Sequence, residues 1–188
     1  MSSYVVSQED VKNFLNLPSM NDQEGISFAY ATDPDALAKL IPAPLKLVAP
    51  VVCGYVVHMG KPSFGGPYLE QTLFALVSYK DKMMGSYPLT LLLHGPGAEA
   101  GLVAGRAGIP KKLADHIELR RNDNSASATV ERHGKTLLSV DWEAGDVNDP
   151  SILQTFGSQF ALNKESEMNS FFFTHDLVQD KQGANHFE

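Results

Sequence analysis

From Pro50 to Trp142 the chain is a succession of short apolar or alternating runs, each closed by glycine, proline, aspartate or asparagine. Such spacing leaves little room for helices and favours strands that pair with their neighbours in turn. Val51-Val-Cys-Gly-Tyr-Val-Val-His-Met sets Val51, Cys53, Tyr55 and Val57 on one face, with Val52, Val56 and His58 on the other. A glycine- and proline-rich loop from Gly60 to Pro67 follows. Tyr68 to Tyr79 is apolar on both faces beyond Gln71, the pattern of a strand inside a sheet. A turn at Asp81-Lys82 leads to a strand over Ser86–His94, and Gly95-Pro-Gly turns the chain again, so that Ala98–Ala104 runs toward a pair of lysines. Beyond them, Ile117–Arg121, Ser125–Arg132 and Thr136–Trp142 are strands separated by turn residues at Asn122-Asp-Asn and His133-Gly134. The expectation is an α+β chain, mainly antiparallel β, whose sheet curls or closes.

The flanks add the helices. Ser7 to Asn16 is amphipathic, with Ser7 as N-cap and Val11, Phe14 and Leu15 as its apolar stripe. Glu24 to Thr32 alternates Ile26, Phe28 and Tyr30, a strand with one buried face. Asp33-Pro34 starts a short helix, with Asp33 as cap and Pro34 in the first position, and Pro42 and Pro44 end it. Phe156–Leu162 and Phe171-Phe-Phe form one more hairpin. The closing stretch from Gln179 is polar and patternless, so the chain stops where another strand is expected. The 188 residues are read as a single domain.

A net charge of −7 without a basic run argues against nucleic acid as partner. No apolar run approaches the ~20 residues of a membrane helix, and the N-terminus lacks the basic and apolar regions of a signal peptide. The single cysteine, Cys53, sits among strand valines and reads as a buried, inert thiol of a cytoplasmic protein. The histidines show no ligand spacing, so no metal is expected.

The lysines of Ile109-Pro-Lys-Lys-Leu113 are the chemical candidates. A lysine serves as a nucleophile only as the neutral amine, about one molecule in 2,500 at pH 7 for an ordinary side chain. A second ammonium at ~6 Å disfavours the charged form by roughly 2.8 kcal/mol, and desolvation in a buried site can do more. Neighbours in an extended segment point to opposite faces, so Lys111 and Lys112 cannot both line one pocket, and desolvation is the larger expected effect. Glu70 shares its strand face with Tyr68, Thr72, Phe74 and Leu76, which puts a carboxylate at the edge of an apolar wall.

Ile109-Pro-Lys-Lys-Leu-Ala, with Tyr30-Ala-Thr-Asp-Pro-Asp-Ala-Leu upstream, Tyr68-Leu-Glu-Gln between them and the trailing Pro-Ala-Pro-Leu, resembles the acetoacetate decarboxylase family from about Ile26 to about Leu162. The resemblance implies a β-cone or barrel with peripheral helices, relative to which the C-terminal end is short. It also implies Lys111 as the Schiff-base lysine, Lys112 as its electrostatic neighbour and Glu70 as the active-site carboxylate. Activation of a lysine by an apolar pocket or a second cation is a recognised property of that family, not an inference from these residues.

Tyr55 stands where the family has a second glutamate, and Ala31, after Tyr30, where its decarboxylases have an arginine. Gly105-Arg106-Ala107 lies two residues closer to the lysines than the family's Gly-Arg-Glu. Tyr30, Ala31, Tyr55 and Arg106 are accordingly the expected substrate-binding positions. The implied reaction is cofactor-free decarboxylation of a small β-keto acid through an imine on Lys111. Ala31 and Tyr55 favour a second reading, an imine-forming aldolase, dehydratase or hydrolase acting without decarboxylation. The short C-terminus favours a third, a binding protein on the same scaffold. An exposed edge strand would favour a homo-oligomer.

Overall fold

The computed structural model describes residues 19–102 and 109–146, and the backbone of the short strands Asn169–Ser170, Leu177–Gln179 and Asn185–Phe187. The helix expected over 7–16 and the hairpin expected from 156–162 and 171–173 lie outside the described residues.

Strands β1 (Met20–Ala31), β2 (Leu45–Pro62), β3 (Tyr68–Tyr79) and β4 (Met83–His94) form an antiparallel meander. The tight turn between β3 and β4 has Lys80 and Asp81 at φ 53° and 54°, the left-handed pair that matches strand twist. After β4, helix α2 (Ala98–Gly101) stands at the start of the segment leading to the lysines. The chain then adds β5 (Lys111–Leu113) parallel to β4, opposite Leu91–Leu93. Asn169–Ser170 (β9) also pairs with β4, at Gly85 and Ser86, which completes a six-stranded sheet. β6 (His116–Arg121), β7 (Ser125–Arg132) and β8 (Lys135–Glu143) form a second, antiparallel sheet. His133 and Gly134, at φ 54° and 67°, turn β7 into β8. Leu177–Gln179 (β10) pairs with Asn185–Phe187 (β11). The fold is mostly antiparallel β with few helices, and neither sheet closes on itself through the described strands.

The two sheets meet through Ile26, Val56 and Leu92 on the larger one and Ile117, Ala128 and Val130 on the smaller. Burying an aliphatic side chain of this size is worth about 1.5–3 kcal/mol, so this cluster fixes the contact between the sheets. The buried face of β1 is shorter than its alternation suggests. Ile26 is buried, but Tyr30 is 45% exposed, because the clustered side chains of the smaller sheet pack around the Ile26 end only. Farther along, helix α1 (Pro34–Ala38) covers the sheet by placing Leu37 on Val52 and Ala75. It starts where Asp33-Pro34 places it, with Asp33 Oδ1 accepting the Ala36 N–H at 2.7 Å.

The opposite face of the large sheet buries Cys53, Phe74 and Leu76 toward one end and Met59, Tyr68, Leu91 and Leu93 toward the other. There α2 and Phe64 pack over Tyr68, Leu91 and Leu93. Close approach sets this layer. A Cβ on Gly101 would come within 2.9 Å of Leu93 Cδ1, and one on Gly97 would collide with the Gly66 carbonyl. The second clash is with backbone and cannot be relieved by a rotamer change.

Gly97→Ala is therefore expected to destabilise the protein by about 1–3 kcal/mol through overpacking. Gly66→Ala, whose Cβ meets nothing nearer than 3.8 Å, should be close to neutral. Denaturant unfolding of the two variants gives the comparison.

Candidate active site

The site is built from the alternation of β3 and its register with three neighbours. Along one face of β3 stand Tyr68, Glu70, Thr72 and Phe74. Across the sheet, one row runs Ser27, Tyr55, Thr72, Leu91, Lys111, and the next runs Gly25, Val57, Glu70, Leu93, Leu113. Glu70 and Lys111 thus share a face in adjacent rows, within reach of one diagonal contact. Backbone bonds hold the lysine segment at both ends. The Lys111 N–H donates to Ile109 O at 2.7 Å, across Pro110, and the Ala114 N–H donates to Leu93 O at 2.8 Å.

Lys111 Nζ donates to Glu70 Oε2 at 3.1 Å, and the two side chains are only 8% and 4% exposed. The Tyr55 hydroxyl donates to the other carboxylate oxygen, Oε1, at 2.7 Å. The Tyr68 hydroxyl lies between Glu70 Oε2, at 3.5 Å, and Met20 Sδ, at 3.9 Å. A buried charge is tolerated when it is paired and hydrogen-bonded, and Glu70 meets both conditions. Burial first, and the adjacent Glu70 charge second, push both phenols far above their ordinary values, so Tyr55 and Tyr68 remain proton donors across the physiological range.

A cleft of about 420 Å³ opens on the β1 side of Glu70. Met20, Val57, Met59 and Phe74 give it an apolar lining, and Tyr55 and Glu70 are its polar groups toward β3. Glu70 stands between this cleft and Lys111. A carboxylate so placed can accept a proton from a bound carbon acid, while the Tyr55 phenol, on the same cleft wall, can donate to a developing oxyanion. Lys111 can also attack a carbonyl once its proton has passed to Glu70. Among the described residues, no group of three or more His, Cys, Asp or Glu side chains could hold a metal ion.

Of the residues singled out in the sequence, Lys111, Glu70 and Tyr55 come together. Lys112 does not join them: strand alternation turns it to the other face, where it is exposed. The charge next to Lys111 is a carboxylate, not a second ammonium. Tyr30 lies on the face opposite Glu70. Ala31 shares the face but lies roughly 20 Å along β1 from Gly25, at 3.3 Å per residue. Arg106 lies outside the described residues. Tyr68 is the group that sequence reasoning left without a role. Its position two residues before Glu70 was the available signal, because i and i+2 share a strand face.

Removing one partner of a buried ion pair leaves the other uncompensated. Lys111→Met should cost about 3–5 kcal/mol in denaturant unfolding, and adding Glu70→Gln in the same chain should recover part of that loss. Cys53 is fully buried, and burial pushes its thiol up to about 11. Native protein at pH 8 should resist a thiol-disulfide reagent that labels the guanidinium-unfolded chain completely.

The family model for acetoacetate decarboxylase matches residues 4–188. The chain is 72% identical over 189 aligned positions to a protein of Lactiplantibacillus plantarum named CLA biosynthesis isomerase, an alignment covering all of this chain and 67% of that protein. It is 36% identical over 121 residues to the acetoacetate decarboxylase of Burkholderia multivorans, covering 63% of this chain and 47% of that enzyme. The chain thus spans about two thirds of the first relative and less than half of the second. The crystal structure of acetoacetate decarboxylase from Legionella pneumophila shares the fold, with a TM-score of 0.64 at 19% identity over 99% of this chain and 74% of that one. With the family model matching nearly its whole length, the chain belongs to the acetoacetate decarboxylase family.

Proposed function

We propose that this chain carries the active site of an isomerase that moves a proton, and with it a carbon–carbon double bond, next to a ketone. One observation supports this reading most: Glu70 is a buried carboxylate whose two oxygens face two phenols and one ammonium beside an open apolar cleft. Glu70 removes a proton from the carbon between the carbonyl and a C=C bond. The C–H electron pair forms the dienolate, whose oxygen takes a hydrogen bond from Tyr55, while the Lys111 ammonium remains on Glu70. Glu70 then returns the proton to the far end of the conjugated system, so atoms and charge balance without a cofactor. A phenol in place of the family's second glutamate suits this chemistry, since it adds a neutral donor and removes a negative charge from beside the dienolate. The relative at 72% identity bears the name of an isomerase, which supports the same class.

A second reading keeps Lys111 as an imine-forming nucleophile that decarboxylates a β-keto acid. The observation in its favour is that Lys111, in the family's Pro-Lys-Lys element, reaches the buried carboxylate that could take its proton.

Incubation with a β,γ-unsaturated ketone in D2O, followed by NMR, tests the first reading. The expected result is double-bond migration, reduced about 100-fold or more by Glu70→Gln, with deuterium at the accepting carbon only where the proton on Glu70 exchanges with solvent before its return. Absence of both migration and α-deuteration would sink it. Carbon dioxide release from a β-keto acid, with a borohydride-trapped adduct on Lys111, would support the second reading instead.

A further inference from the structure

One buried hydroxyl on the site's face of β3 has no part in the chemistry above. Thr72 stands in the same row as Tyr55 and Lys111, on the face of β3 that carries Glu70. It is 94% buried, from a residual exposure of 6%, and its hydroxyl makes no hydrogen bond of good geometry among the described residues. A buried hydroxyl left unpaired costs about 1–3 kcal/mol. Valine would fill the same space on a strand without that cost. Buried Gln71, the next residue, is by contrast paired with Thr90 at 3.1 Å.

The neighbour of Thr72 across the β2–β3 ladder is Tyr55. The two hydroxyls are close enough for the threonine to ease ionisation of the phenol, against the larger opposing effects of burial and Glu70. Tyr55 spends its only hydroxyl hydrogen on Glu70 Oε1 and keeps lone pairs free to accept. Thr72 has a hydrogen to give and no competing acceptor among the described residues.

We propose that Thr72 is a positioning residue for Tyr55, donating its hydroxyl hydrogen to the phenol oxygen when Tyr55 turns its own hydrogen from Glu70 to the substrate oxygen. The inference rests on the reading of Tyr55 as an oxyanion donor. When Glu70 takes the substrate proton, its charge is neutralised and it accepts less strongly from Tyr55. The phenol hydrogen is then free to follow the negative charge to the substrate. A second donor behind the phenol oxygen stabilises the negative charge that builds on it and holds the ring in place during the change of partner. No covalent bond to Thr72 forms or breaks.

Three variants and one spectroscopic probe test this. Thr72→Val keeps the shape and removes the hydroxyl, Thr72→Ser keeps the hydroxyl, and Thr72→Ala serves if the valine variant fails to fold. With a β,γ-unsaturated ketone as substrate, Thr72→Val should lower kcat about tenfold with KM little changed, as expected for one hydrogen bond made during the reaction, and Thr72→Ser should recover most of the loss. Independently of activity, a difluorotyrosine placed at position 55 reports its ionisation by fluorine NMR. Its titration should move to higher pH in Thr72→Val or Thr72→Ala and stay in place in Thr72→Ser. An unmoved titration in the folded valine or alanine variant overturns the proposal. So does an unchanged kcat there while Tyr55→Phe is impaired. If Tyr55→Phe is fully active, the reading of Tyr55 as an oxyanion donor falls, and with it the proposed role.

Discussion

A buried carboxylate near the start of a largely apolar strand is the constraint that orders this molecule. Glu70 is flanked along β3 by Tyr68, Thr72 and Phe74 and lies between Val57 and Leu93 across the sheet. An isolated ionised carboxylate in such surroundings would be strongly disfavoured. Its tolerance depends on groups from three other places in the chain: Tyr55 from β2, Tyr68 from its own strand and Lys111 from β5. The same contacts that make the charge tolerable also equip the site. Stability and chemistry are therefore coupled here, and a substitution at any of these positions acts on both.

How much of this was legible in the sequence depends on whether a feature is local. The apolar run Tyr68–Tyr79 and the turn-bounded segment Ser125–Arg132 were legible with their observed bounds, because turn residues lie close to both ends. Asp33-Pro34 likewise marked its helix. Strand β2 was legible only from Val51 on, yet it begins at Leu45. The missing part crosses Pro50 and a register shift between Leu47 and Val52, and neither carries a period-two signal. Helix α2 is too short to show a helical period. β5 was placed as extended chain, but its parallel partner is set by a connection outside local pattern.

The site shows the same division. Alternation alone separated Lys111 from Lys112, and it aligned Glu70 with Tyr68 and Thr72. It could not say which strand would lie opposite, so the contact of Lys111 with Glu70, 41 residues away in sequence, is visible only in the fold. Tyr30 and Ala31 were drawn toward the pocket by motif resemblance, while the geometry of β1 carries them to its far end. Their element serves the start of α1: the cap at Asp33 and Leu37 beneath it are structural. Within one family, then, a motif can mark a fold landmark as readily as a substrate contact.

The separation of Glu70 from Lys111 also bears on the order in which the chain assembles. The hairpins that join β2 to β3 and β3 to β4 close over short loops and set Glu70 into its wall early, whereas the cation must come from beyond the end of the meander. Closing that longer loop has an added entropic cost, which only contacts of the docked strand can offset. Until β5 docks, the meander carries a charge that its surroundings oppose. Docking relieves it in the same step that completes the lysine–carboxylate pair. The edge strand and the lysine–carboxylate pair thus form as one event, so a chain with β5 docked is one whose buried charge is already matched.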